Sequence, residues 1–368
     1  MAKRKYSAVA VLFGACADRY VLQGYTEKRS FDEMLADAQQ VPGLTGIEVI
    51  GGWHINDQNQ YQVVKQIHDA GFELAGVIPE IWANPKWGWG TFAATDPGIR
   101  RDAIDRVKVA MDLAASTGCN HVSPWPGHDG WDYVFQSNYT KMYDWMIEGL
   151  AECADHNPNV KISLEFKPKE PRMHILVNST AKALLLVNEV NRPNLGINLD
   201  VGHANMGGET LAEAVALLKR FGNRLLHLHL NDNYRSTDDD MIPGSVHTLE
   251  WVEFFYWLNR TGYDGWYSLD VFAYRERDKI AVARESLAWL ELLAKAAERI
   301  DDAEAEAISR FWRCHGRAGD AASCALWAIA MDNHEILQQA EALIRAEAEA
   351  VAQMATISTT ALSPPSAW

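Results

Sequence analysis

Leu195-Gly196-Ile197-Asn198-Leu199-Asp200-Val201-Gly202-His203 is a mostly apolar run that stops on a carboxylate and, three residues later, an imidazole. It reads as a strand, and residues 211–221 after it carry helical spacing of apolar side chains. The same unit recurs on both sides. Downstream, apolar runs at 225–230 and 266–271 precede helical patterns at 249–261 and 279–300. Upstream, the runs fall at 160–165, 121–123, 73–78, 46–50 and 8–13, with helices near 180–191, 139–155, 96–117, 58–70 and 30–40. Ser30 and Glu33 have the spacing of a capping box at the start of the first helix.

Strictly alternating strand and helix patterns mark a parallel sheet with crossover helices. Eight such units in about 300 residues predict a (β/α)8 barrel, an α/β fold whose usual length is about 250 residues before loop enlargement. A doubly wound open sheet would need a phosphate-cradling glycine loop after an early strand, and neither a G-x-G-x-x-G nor a Walker pattern is present. Beyond residue 300 the chain turns rich in Ala and Glu. The expected organisation is a catalytic barrel over 1–300, a helical extension over 301–355 and a flexible tail over 356–368.

The 368 residues carry a formal net charge of -15, which disfavours nucleic acid and anionic membranes as partners. No stretch approaches the roughly 20 apolar residues of a membrane span. The basic start, residues 1–6, lacks the apolar region and cleavage site of a signal peptide. Five widely spaced cysteines point to free thiols in a reducing compartment, hence a cytoplasmic protein.

In a closed parallel barrel the strand ends share one rim, where function sits. Four successive strands end on Glu165, Asp200, His229 and Asp270. Any one of them alone is ordinarily a helix cap or a surface residue. Together, three hard oxygen donors and one imidazole suit a divalent cation, Mn2+ first, with Co2+, Mg2+ or Zn2+ as alternatives.

The later strands resemble the xylose isomerase-like superfamily of sugar isomerases and epimerases. The pattern is Glu165-Phe166-Lys167 after strand five, Asp200-Val201-Gly202-His203 after strand six, His229-Leu230-Asn231-Asp232 after strand seven, and Asp270 after strand eight. The resemblance covers about residues 7–298 and is nearest to the broad-specificity bacterial L-rhamnose isomerases, because the fourth donor is Asp where most epimerases carry Glu. It implies a second, catalytic metal at His203, Asp238 and Asp240, and a homo-oligomer. The Asp238-Asp239-Asp240 run has a simple alternative as a solvated loop, and His203 as a hydrogen-bonded imidazole beside a ligand.

Lys167 is a candidate acid or carbonyl contact, with a plain salt bridge as its alternative. His54, in Gly51-Gly52-Trp53-His54, could assist ring opening or proton movement, or be structural. Trp125, and Trp82, Trp87 and Trp89 in the loop after strand three, would pack on sugar C–H faces or simply fill the mouth. The function expected is metal-dependent aldose–ketose isomerisation of a small unphosphorylated sugar by hydride shift. The alternatives are a ketose 3-epimerase working by proton transfer, a lyase or dehydratase on the same scaffold, and a non-enzymatic sugar-binding barrel.

Overall fold

The computed structural model describes residues 4–276 and 278–315, with side chains throughout except at 307 and 310–315. Eight parallel strands form a closed barrel: β1 Lys5–Val9, β2 Leu44–Gly51, β3 Glu73–Pro79, β4 His121–Val122, β5 Lys161–Glu165, β6 Leu195–Asp200, β7 Leu225–Leu230 and β8 Trp266–Leu269. Each pairs with the next, and β8 closes on β1 through the register Ser7 opposite Ser268. The crossovers are α1 Phe31–Ala38, α2 Gln60–Asp69, α3 Pro97–Ser116, α4 Tyr139–His156, α5 Thr180–Val190, α6 Val201–Met206 with α7 Leu211–Arg220, and α8 Thr248–Thr261; α9 Lys279–Glu298 follows β8.

The expected (β/α)8 architecture is present, and its physical basis is visible in the strands. A strand covered by helices outside and by side chains inside has no wet face, so β2 buries Ile47 and Val49 on one face and Glu48 on the other. Helix starts are set by side chains that satisfy otherwise unpaired N–H groups. Ser30 accepts from Glu33 N while Glu33 Oε2 accepts from Ser30 N at 2.8 Å, the capping box expected for α1. Asp96 caps α3 ahead of Pro97, and Asn138 caps α4.

The first strand is placed differently from its sequence reading. The apolar run 8–13 continues past the strand, but β1 ends at Val9 and residues Ala10–Phe13 turn as a short 3-10 helix. Ala10, Leu12 and Phe13 are all buried in that turn, so the run is apolar for a reason other than sheet pairing. Periodicity does not separate a buried turn from a buried strand. A two-stranded antiparallel ribbon, Gly130–Trp131 with His174–Ile175, also stands outside the eight-unit rhythm.

The chain divides into two compact units, Met1–Glu291 and Leu292–Trp368. In the second, α10 spans Asp302–His315 and is opened by a reciprocal cap between Asp301 and Glu304, both bonds at 2.8 Å. The rest of the expected extension and the tail, 316–368, lie outside the described residues. Among the described residues no helix is long and apolar enough to cross a membrane.

Candidate metal centre

The C-terminal ends of β5, β6, β7 and β8 bring Glu165, Asp200, His229 and Asp270 together, one ligand atom from each lying within 4.8 Å of the others. Glu165 and Asp200 are the last residues of their strands, His229 is the penultimate residue of β7, and Asp270 follows β8 directly. His229 Nδ1 is 3.2 Å from Glu165 Oε2, 3.2 Å from Asp270 Oδ2 and 3.9 Å from Asp200 Oδ2. It makes no hydrogen bond with any of them, so the donors converge on a point without satisfying one another.

Amide side chains brace the carboxylates from behind. Asn198 donates to Glu165 Oε2 at 2.9 Å, and Asn231 donates to Asp200 Oδ2 at 3.2 Å and to the Asp270 carbonyl at 3.1 Å. Asp200 also caps α6, accepting from His203 N at 2.9 Å, so the cap role and the strand-end role coexist in one residue. Gly202 is required here by space, because a Cβ at that position would sit 1.9 Å from Asn231 Oδ1.

The electrostatics are those of an acidic cradle. Burial, with the charges of Glu165, Asp238 and Asp270, outweighs His203 and raises the Asp200 carboxyl to about 7. Burial also opposes charge on Glu165, yet His229 and His203 beside it hold it below the usual range. Three carboxylates around one imidazole, two of them buried and Asp270 partly so, repel each other unless a cation lies among them. The donor chemistry therefore fits a hard divalent metal.

Beside the cradle runs a chain of buried charge. Lys167 Nζ donates to Asp238 Oδ2 at 2.7 Å, and His203 Nε2 lies 3.0 Å from the same oxygen. His203 Nδ1 is 3.4 Å from Glu165 Oε1. Burial works against charge on all three, but Lys167 and His203 hold Asp238 far below the carboxylate range, while Asp200 and Asp238 raise His203 to about 9. Asp238 likewise keeps the buried Lys167 ammonium charged.

The three residues expected to hold a second metal are brought near each other only in part. His203 and Asp238 touch, but the shared oxygen of Asp238 is taken by the Lys167 ammonium. Asp240 is buried, and burial with the charges of Asp238 and Asp270 pushes its carboxyl well up. Among the described residues these three do not form a converged donor group.

Trp125 extends an aromatic row toward the cradle. Its ring is stacked 6.5 Å from His203, carries Lys167 Nζ at 5.2 Å, and meets Trp82 at 5.9 Å, which in turn meets Trp53 at 5.7 Å. Trp87 does not join this row. It is fully buried in the Pro85–Trp89 turn with Lys86 over its ring, while Trp89 is exposed. His54 accepts from Ile50 N at 3.0 Å and packs on Phe31, and burial lowers its imidazole to about 4. These contacts tie it to the end of β2.

Sequence reasoning missed a second group of donors. Glu48 of β2, His121 of β4 and His227 of β7 also offer ligand atoms within 4.8 Å of one another, all buried. The signal was the spacing His227-Leu228-His229, which on a strand sends both imidazoles into the bore. The other signal was a lone carboxylate at Glu48 inside an apolar run.

Residues 35–293 match the xylose isomerase-like TIM barrel family. The xylose isomerase of Thermus thermophilus is 28% identical over 269 residues, 72% of this chain and 68% of that protein. Among solved structures, a D-tagatose 3-epimerase-like protein superposes with a TM-score of 0.58 at 21% identity, covering 78% of this chain and 98% of that one. An L-ribulose 3-epimerase superposes with a TM-score of 0.62 at 16% identity, covering 83% and 98%. The structural likenesses speak for the fold, and the family match spans most of the barrel, strand ends included. This chain belongs to the xylose isomerase-like TIM barrel family.

Proposed function

We propose that the protein is a divalent-metal-dependent sugar isomerase that interconverts a small, unphosphorylated aldose and its ketose by hydride shift. The observation that carries this reading is the convergence of Glu165, Asp200, His229 and Asp270 on one point at the strand ends, with the Lys167–Asp238–His203 chain beside it. The relatives named xylose isomerase and sugar 3-epimerase support the sugar isomerase/epimerase class.

A divalent cation in the cradle, Mn2+ by preference for three oxygen donors and one imidazole, supplies Lewis acidity toward a carbonyl oxygen and its neighbouring hydroxyl. The chain supplies the rest. Lys167, kept charged by Asp238, is placed to donate to a substrate oxygen. Trp125, Trp82 and Trp53 form a wall for the apolar face of a sugar. Proton transfer would need a carboxylate free to act as base. Glu165 and Asp270 are drawn toward His229 and Asp238 is paired with Lys167, which favours the hydride route. A second cation at His203, Asp238 and Asp240 would have to displace Lys167 from Asp238, so the reading assigns one. It also makes the protein a cytoplasmic homo-oligomer, in keeping with the buried free thiols of Cys16, Cys119 and Cys153.

The test is to strip the protein with chelator, restore Mn2+, and incubate it in D2O with a panel of free aldoses and ketoses, reading products by NMR. Metal-dependent aldose–ketose exchange without deuterium at the new C–H is the expected result. Deuterium incorporation would establish proton transfer and a 3-epimerase-like mechanism instead. Metal binding without turnover of any free sugar would sink the isomerase reading and point to a glycoside or cyclitol substrate.

A further inference from the structure

Two residues before His229 on β7, and so deeper in the bore, His227 faces Glu48 of β2. Glu48 is fully buried, and its two oxygens are directed differently. Oε1 pairs with His227 Nε2 at 2.8 Å. Oε2 has no hydrogen-bond partner and lies 3.6 Å from His229 Nε2, which also has none. The two nitrogens of His229 are therefore divided. Nδ1 faces three carboxylates at the strand ends, and Nε2 faces one carboxylate oxygen from below.

An imidazole that ligates a cation through one nitrogen carries its proton on the other, and a carboxylate at that N–H fixes both the tautomer and the ring plane. We infer that Glu48 is a positioning residue of the metal centre: clamped by His227, it holds His229 in the tautomer and orientation that present Nδ1 to the cation. The inference rests on the metal reading above. It touches no ligand oxygen, and it explains why a carboxylate is kept where burial alone would favour an apolar side chain.

Gly76 of β3 belongs to the same device. A Cβ there would lie 3.1 Å from Glu48 Oε2 and 2.8 Å from His121 Nδ1. The backbone of β3 thus leaves the room in which the Glu48 carboxylate and the His121 ring sit. Any larger residue at 76 would press on the oxygen that faces His229.

The test uses the full chain, loaded with Co2+ after chelator treatment. Dissociation constants come from competition with a chromophoric chelator, stoichiometry from elemental analysis, and coordination from the visible Co2+ spectrum. Glu48→Gln keeps the shape but loses the charge. It is expected to weaken Co2+ binding about 10- to 100-fold and to alter the spectrum, at unchanged stoichiometry. Gly76→Ala, which removes no polar group, is expected to weaken binding in the same direction, and it decides the matter should Glu48→Gln fail to fold.

An unchanged constant and spectrum in a folded Glu48→Gln protein would overturn the positioning role while leaving the metal reading intact. Loss of one whole equivalent of metal, with the remainder bound normally, would also overturn it, since the Glu48–His121–His227 group would then itself be a cation site. A wild-type protein that binds no Co2+ would overturn the metal reading and this inference together.

Discussion

The barrel holds two clusters of potential metal donors a single layer apart, and they differ in charge. At the strand ends three carboxylates surround one imidazole; in the bore one carboxylate meets two imidazoles. The bore group is largely satisfied from within, with Glu48 on His227 at 2.8 Å and His121 on Ser163 at 2.6 Å. The strand-end group leaves His229 Nδ1 without a hydrogen bond, 3.2 Å from each of two carboxylates. In both clusters the donor atoms lie within 4.8 Å of one another, so proximity does not separate a metal cradle from a structural polar core. Both also leave buried polar atoms without a hydrogen bond, Glu48 Oε2 and His121 Nδ1 in the bore and His229 Nδ1 at the strand ends, so what separates them is the excess negative charge of the strand-end group.

The largest effects should come from neutralising the strand-end group. Asp270→Asn removes one of the three like charges at the most exposed donor, whose side chain is 20% accessible. Turnover and metal binding should fall on the order of 10³-fold or more, because a ligand is lost as well as a charge. The melting temperature of the metal-free protein should stay level or rise, since the mutation relieves repulsion in a site strained for function. Elemental analysis and calorimetry on the same sample check both halves. A variant that keeps its metal, or melts several degrees lower without it, would place Asp270 in a structural role.

A change of pH acts on the same contrast with a smaller effect. Asp200, raised to about 7 by burial and by its neighbouring carboxylates, must shed its proton for the cradle to bind a cation. The protonated form grows as pH falls, so metal affinity should drop by about tenfold between pH 8 and pH 6. In the bore, burial lowers the His121 imidazole far below the usual histidine range, and His227 with His229 lower the Glu48 carboxyl well below the carboxylate range in spite of burial. An affinity flat from pH 8 to pH 6 would show that Asp200 is already ionised throughout that range, and that its neighbours do not hold its proton on.

What could be read from the sequence follows the same division. Glu165, Asp200, His229 and Asp270 were legible because parallel strands in a closed barrel deliver their last residues to one rim, so chain position alone predicts proximity. Mid-strand residues carry no such label. Glu48 sits inside Gly46-Ile47-Glu48-Val49-Ile50, where the apolar pattern announces the strand and says nothing of what its odd residue meets across the bore. The Lys167–Asp238 pair was hidden for another reason: the two residues lie 71 positions apart on loops of unpredictable path. The end of β1 was misplaced because Ala10–Phe13 is as apolar as the strand it leaves.

The finest test of the contrast is Ser163→Ala, at the far end of the bore group. Ser163 is buried on β5 and its Oγ lies 2.6 Å from His121 Nε2, while His121 Nδ1 already has no partner. Removing the hydroxyl leaves the imidazole buried with neither nitrogen paired, a loss of about 1–3 kcal/mol in unfolding free energy. The Ser163 hydroxyl bonds to His121 and the Val122 carbonyl, not to His229 or Glu48, and the His121 and His227 rings pack at 4.3 Å. Stability measured in denaturant should therefore fall while the Co2+ dissociation constant moves by less than about threefold, because the hydroxyl removed bonds only to His121 and the Val122 carbonyl and to no donor of the cradle. A folded Ser163→Ala protein that loses metal as Glu48→Gln is expected to do would mean the bore works as one relay from β4 to the cradle, and the boundary between the two layers would have to be drawn below His121 rather than at Glu48.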